Sequence, residues 1–117
     1  MHDQQPPVFG TGKQSRDFTF VKNVVSANLL AAANKKLKGE VFNIASGRDY
    51  SVLKLVEILN SIMGKSIKPK FLLIRPGDVF KTLADLTKSR RMLGYKPTVD
   101  FVEGLRQTVR YFGEKYA

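Results

Sequence analysis

Three glycines, Gly39, Gly64 and Gly94, each follow a stretch in which apolar residues recur at helical spacing, which confines the chain to helices separated by short extended pieces. From Asn23, read as an N-cap, Val24, Val25, Asn28, Leu29 and Ala32 share one stripe until Gly39 stops the run behind Lys35, Lys36 and Lys38. Ser51 caps a second helix that bears Val52, Leu55, Val56, Leu59 and Ile62 on one side and ends at Gly64. A short helix, capped by Asp85 or Thr87, closes at Leu93 and Gly94. Asp100 and Glu103 open the last helix in the manner of a capping box, with Phe101, Leu105, Val109 and Phe112 at core spacing.

Between these helices lie extended candidates. Residues 7–9 run into Gly10-Thr11-Gly12, residues 17–21 alternate as a strand does, and residues 40–44, 70–74 and 81–84 supply three more. Arg75-Pro76-Gly77-Asp78 reads as a polar loop. Strands alternate with helices without an internal repeat, so the class is α/β. Residues 1–117 are read as one segment, with residues 1–6 expected to lack fixed structure.

The chain has no cysteine and one histidine, His2, which excludes disulfide frameworks, thiolate zinc sites and cysteine nucleophiles and argues against a histidine triad. No catalytic, cofactor-binding or metal-ligating residue is assigned. No apolar run approaches the roughly 18 to 20 residues that span a bilayer, and the opening lacks the basic and apolar regions of a signal peptide. The expected location is cytoplasmic, with no membrane partner.

A net charge of +10 makes an electrostatic case for polyanions. A non-enzymatic basic module for nucleic acid, or for another acidic partner, is therefore the alternative reading. The charge sits in three tracts, at residues 35–38, 65–70 and 88–91, each where a helix end or surface helix is expected. Cations complement the dipole there, and no RNA-binding aromatic signature or finger spacing accompanies them, so nucleic acid is the weaker partner.

Three motifs are decoys. Tyr50 with Lys54, and Tyr111 with Lys115, match the Tyr-x-x-x-Lys spacing that sets a lysine one turn from a catalytic tyrosine, but neither has the accompanying upstream serine or threonine in context. Gly10-Thr11-Gly12-Lys13-Gln14-Ser15 approaches a phosphate loop, yet Gln14 interrupts the required Gly-Lys-Ser/Thr. A full Gly-x-Gly-x-x-Gly fingerprint is absent from the sequence.

What remains are arginines in loops beside strands, Arg16 and Arg75, whose forked and permanently charged donors suit a diphosphate. Their contexts carry a resemblance. Gly10-x-Gly12-x-Gln14-x-Arg16-Asp17-Phe18-x-Phe20-Val21, then Gly39-Glu-Val-Phe-Asn43-Ile44-Ala-Ser-Gly47, then Arg75-Pro-Gly77-Asp78 with Ala84-Asp85 and Leu93-Gly94-Tyr95-x-Pro97, resemble in order the second half of the extended short-chain dehydrogenase/reductase family. UDP-glucose 4-epimerases are the nearest look-alikes, with dTDP-glucose dehydratases behind them.

That resemblance implies the carboxy-terminal, substrate-binding part of an NAD(P)-binding Rossmann-type enzyme, without the amino-terminal NAD-binding domain and its catalytic residues. Implied ligands are UDP- or dTDP-sugars. Arg16 and Arg75 would contact the diphosphate, Asp78 the ribose, Phe9 the base, and Phe18 would lie beside the phosphates. No cofactor is expected on this chain alone, whereas the complete enzyme uses NAD for transient oxidation of a sugar carbon. A separate NAD-binding chain, or self-association through uncovered apolar surface, is the implied partner. The sequence departs from the family pattern at Phe18, where tyrosine is frequent, and at Val21-Lys22-Asn23, where Val-Asp-Asp is common.

Overall fold

The computed structural model describes residues 3–116; the expected fraying of residues 1–6 falls at Met1 and His2 outside them. Residues 3–6 carry contacts: the Pro6 carbonyl accepts from Lys70 N at 2.9 Å, and the Lys65 ammonium pairs with Asp3. Four helices and four very short strands follow in the order β1 (Pro7–Phe9), β2 (Ser15–Arg16), α1 (Val21–Ala33), β3 (Tyr50–Ser51), α2 (Val52–Met63), β4 (Lys70–Leu72), α3 (Thr87–Leu93) and α4 (Phe101–Lys115). The strands form two separate pairs. β1 runs parallel to β4, Val8 facing Phe71, while β2 runs antiparallel to β3, Arg16 facing Tyr50.

The helix ends follow local chemistry where the sequence provides it. Ser51 caps α2 by accepting from Lys54 N at 3.1 Å, and Asp100 caps α4 by accepting from Glu103 N at 2.9 Å. Gly64 and Gly94 both close helices in the left-handed region. For α3, the Asp85 carboxylate accepts from Thr87 N at 2.8 Å, although the geometric cap is Leu86.

Three expectations are corrected. Asn23 is not the cap of α1: Phe20 holds that position, and Asn23 lies inside the helix with 1% of its surface exposed. The helix also stops at Ala33, short of the lysine tract, because Asn34 turns the chain by accepting from Lys36 N and donating to the Met92 carbonyl. Residues 17–21 and 40–44 join no strand pair. The first stretch is diverted by Asp17, whose carboxylate takes Ser46 N, Ser46 Oγ and Gly47 N at 2.6–3.0 Å. The second has no neighbouring strand among the described residues, and a ladder needs one.

The buried cluster is small. Ala27, Ala45, Leu86, Leu93 and Tyr95 form it, and the Tyr95 hydroxyl donates to the Ala45 carbonyl at 2.8 Å. Burial, followed by the Asp17 charge, pushes the Tyr95 phenol above its ordinary value, which keeps it a donor. A radius of gyration of 16.8 Å exceeds the roughly 13 Å of a compact chain this long, so a flat molecule of 50 × 36 × 18 Å leaves much apolar surface open. Val21, Val25 and Leu29 of α1 are exposed, as are Leu73, Ile74 and Phe80 beyond β4. Among the described residues no helix is long and apolar enough to cross a membrane.

Candidate ligand-binding cleft

Positive φ at Gly10 and Gly12, both +73°, turns the chain sharply after β1. That turn is locked by α2. Val52 N and Leu53 N, orphan donors at the helix start, bond to the Gln14 and Gly12 carbonyls at 3.1 and 3.0 Å. Gln14 then points back, its Nε2 donating to the Phe9 carbonyl at 2.7 Å. The first amides of α2 are thus taken by backbone oxygens and Ser51 Oγ.

The second wall is the loop after β4. Arg75-Pro76-Gly77-Asp78 is a hydrogen-bonded turn, Asp78 N donating to the Arg75 carbonyl at 3.2 Å, with proline in its second place and Gly77 at φ +80° in its third. That is the chemistry a type II turn demands. Because β4 lies parallel to β1, the turn is carried over the Phe9 side of the glycine turn.

Four of the five expected site residues meet here. The Arg75 guanidinium lies 3.6 Å over the Phe9 ring, and Arg16 Nη2 donates to Asp78 Oδ1 at 2.7 Å. Arg16 is steadied further by Nη1, which donates to its neighbour's carbonyl, that of Ser15, at 2.8 Å. Phe9, Gln14, Arg75 and Asp78 line an open cleft of about 370 Å³, which Arg16 borders through Asp78.

Phe18 is not among them. Once Asp17 is drawn to the Ser46–Gly47 backbone, Phe18 stacks on Phe101 at 5.2 Å, and Tyr50 stacks on the same ring at 4.2 Å. It therefore lines a different hollow, with Thr19, Phe20 and Leu105. The decoys have structural partners as well: Tyr50 belongs to that stack, and Lys54 pairs with Glu57 at 2.7 Å. Lys22, the departure in the α1 start, donates to Gln107 Oε1 at 2.7 Å and so links α1 to α4.

Sequence reasoning gave Gln14, Ser15, Asp49 and Lys81 no role beside the cleft. Ser15 Oγ donates to Asp49 Oδ2 at 2.6 Å, and Lys81 Nζ approaches the same oxygen at 3.3 Å. The Ser15 hydroxyl first, then Lys81, hold the Asp49 carboxyl below its ordinary 3.8. Their contacts bridge 34 and 32 positions along the chain, so only the β2–β3 pairing and the Ser15–Lys81 bridge could have revealed them. A folded value below the unfolded one means the contribution is present above the ordinary carboxylate range and lost as pH falls through the folded value. Ser15→Ala should thus move the Asp49 titration upward, read by carboxyl-carbon NMR; an unmoved titration assigns the shift to Lys81 instead.

A family model described as GDP-mannose 4,6 dehydratase matches residues 1–108. Among curated relatives, a UDP-glucuronate 4-epimerase of Thermodesulfobacterium geofontis is 32% identical over 97% of this chain and 35% of its own length. A UDP-glucose 4-epimerase of Mycolicibacterium smegmatis is 33% identical over 92% of this chain and 34% of its own. Among solved structures, UDP-glucose 4-epimerase of Thermotoga maritima with UDP-glucose superposes with a TM-score of 0.91 at 40% identity, over 98% of this chain and 37% of that one. UDP-glucuronic acid 4-epimerase of Bacillus cereus, in complex with UDP-glucuronic acid and NAD, gives 0.92 at 36%, over 97% and 37%. The chain spans about a third of the length of the curated relatives it matches. Matched along nearly its whole length in sequence and in fold, it belongs to the NAD-dependent nucleotide-sugar epimerase and dehydratase family of extended short-chain dehydrogenases.

Proposed function

We propose that this chain is the carboxy-terminal nucleotide-sugar-binding portion of an NAD-dependent 4-epimerase, acting on a UDP-sugar of the UDP-glucose type and not catalytic by itself. One observation carries the reading: Phe9, Arg75 and Asp78, far apart in sequence, line a single cleft, and Arg16 reaches its edge through its ion pair with Asp78. Two guanidiniums neutralise a diphosphate, a carboxylate accepts from ribose hydroxyls, and an aromatic ring offers a face to the base. Relatives solved with UDP-glucose and UDP-glucuronic acid support the ligand class.

These residues bind and orient the substrate. Hydride removal and return belong to NAD, so no step of that chemistry is assigned to them. The cofactor and the general base are supplied by further polypeptide, in the same chain or a separate one. Exposed Val21 at 62%, Leu29 at 66% and Leu73 at 91% support such a partner, since apolar surface of this extent is an association surface. A cytosolic setting goes with this reading.

Titration of the labelled chain with UDP-glucose, followed by amide correlation NMR, tests it. The expected result is saturable shifts centred on residues 9–16 and 75–78. Arg16→Ala and Arg75→Ala should each weaken binding by about tenfold or more, the loss of one charge-assisted contact, with spectral dispersion kept. A dispersed spectrum indifferent to millimolar UDP-glucose overturns the reading for this chain.

A further inference from the structure

Two of the groups that the cleft offers to a ligand, the Arg16 guanidinium and the face of the Phe9 ring, are already engaged by the cleft's own side chains. Asp78 sits on Arg16 where an anion would sit, and the Arg75 guanidinium covers the Phe9 ring where a planar group would stack. The two occupants are not independent. Arg75 and Asp78 are the first and fourth residues of one hydrogen-bonded turn, held by Pro76 and by Gly77 at φ +80°, so a movement that lifts one carries the other.

We propose that this turn is a latch and that Asp78 is a specificity-determining residue, which closes the cleft to simple anions and opens it only to an anion that also brings hydroxyl donors. The inference rests on the reading that the cleft takes a nucleoside diphosphate. A bare phosphate or diphosphate that displaces Asp78 from Arg16 sets the carboxylate beside a second negative charge, and this repulsion opposes the exchange even where water reaches the part-exposed pair. A nucleoside diphosphate carries ribose hydroxyls next to its phosphates. Those hydroxyls donate to the released carboxylate, and the base takes over the Phe9 face as Arg75 turns to the phosphates. The exchange then conserves every charged contact, with no group left bare. In a chain of net charge +10 such a filter has a clear use, because the long-range field attracts any anion and only a local device can discriminate among them.

Calorimetric titration at about 0.15 M salt, which screens the long-range field, compares inorganic pyrophosphate with UDP-glucose on the unsubstituted chain and on Asp78→Asn. The amide keeps the shape of the carboxylate and removes its charge. Pyrophosphate affinity should rise by about tenfold in Asp78→Asn, equal to about 1.4 kcal/mol, while UDP-glucose gains less, so discrimination between the two collapses. Adding Arg16→Ala to Asp78→Asn should abolish the gain. Gly77→Ala, which strains the turn without touching a charge, should raise pyrophosphate affinity in the same direction by a smaller factor. Unchanged pyrophosphate affinity in Asp78→Asn, with UDP-glucose still bound by the unsubstituted chain, overturns the latch and leaves the nucleotide-sugar reading standing. A gain in pyrophosphate affinity in a chain that ignores UDP-glucose upholds the anion filter and overturns that reading.

Discussion

Replacing Asn23 with leucine is expected to destabilise the chain by about 3 kcal/mol, although leucine fills the same volume with more apolar surface. Asn23 is a polar side chain buried in the first turn of α1, and it is fully engaged. Its Nδ2 donates to the Val99 carbonyl at 2.8 Å, while its Oδ1 accepts from Thr98 N and Val99 N, both at 3.0 Å. One amide thus satisfies three backbone groups of the segment that leads from α3 into α4. Leucine would leave those groups bare, at roughly 1–3 kcal/mol for each one that water does not reach. Thr98 is exposed, so water recovers much of its loss, and the two Val99 groups at about 1.5 kcal/mol each bring the sum to about 3 kcal/mol. Denaturant unfolding with an unchanged slope reads the effect. Asn23→Ala, which adds a cavity, should cost more than Asn23→Leu; a leucine variant as stable as the parent would mean that the three bonds contribute nothing net. A loss of this size is a large share of the roughly 5–15 kcal/mol of an ordinary domain, and this flat chain has few buried residues to spare.

The same residue shows where the sequence could and could not be read. Asn at the start of an apolar run is a capping signal, because its short amide satisfies nearby backbone donors. Asn23 does that work, but for a segment 76 positions away, which no local pattern encodes. Where the donors were local the reading succeeded: Ser51 and Asp100 cap the helices they precede, and Gly64 and Gly94 close helices through left-handed φ. Strands fared by partner. Residues 70–72 found β1 and became β4, whereas residues 40–44, richer in β-branched and aromatic side chains, found no ladder among the described residues. The turn beside the cleft was legible because Pro76 and Gly77 dictate it. Where Phe18 would pack was not legible, because Asp17 binds the Ser46–Gly47 amides some 30 positions away and turns the chain toward Phe101. The charge was legible as a number only. Its tracts lie on surface loops and helix ends, and the one lysine tract expected to complete α1 stands beyond its last residue, Ala33.

The cleft depends on Gly12 more than on any charged residue in its wall, and Gly12→Val should cost about 3 kcal/mol while removing ligand binding. Two penalties add. A side chain at φ +73° costs roughly 1–2 kcal/mol from backbone strain alone, and a Cβ there would stand 2.8 Å from Leu53 Cγ and 3.3 Å from Val8 Cγ1. Gly10 separates the two. It has the same φ, but its added Cβ would meet Ile74 at an ordinary 3.6 Å, so Gly10→Ala carries the strain without the crowding. The difference in unfolding free energy between Gly12→Ala and Gly10→Ala therefore measures the Leu53 contact. Leu53 is 37% exposed and can yield, which limits that difference to about 1 kcal/mol for alanine and lets it grow with the branched valine. Trimming the neighbour should return it: in a double-mutant cycle, Gly12→Ala combined with Leu53→Ala should show favourable coupling, because the two side chains no longer compete for one space. The binding loss has a separate origin. Gly12 O accepts from Leu53 N, and the same turn aims Gln14 at the Phe9 carbonyl, so displacing Gly12 unseats α2 from the turn and Phe9 from Arg75. A Gly12→Ala chain that loses stability yet binds UDP-glucose as the parent does would show that the turn supports the fold without aligning the cleft.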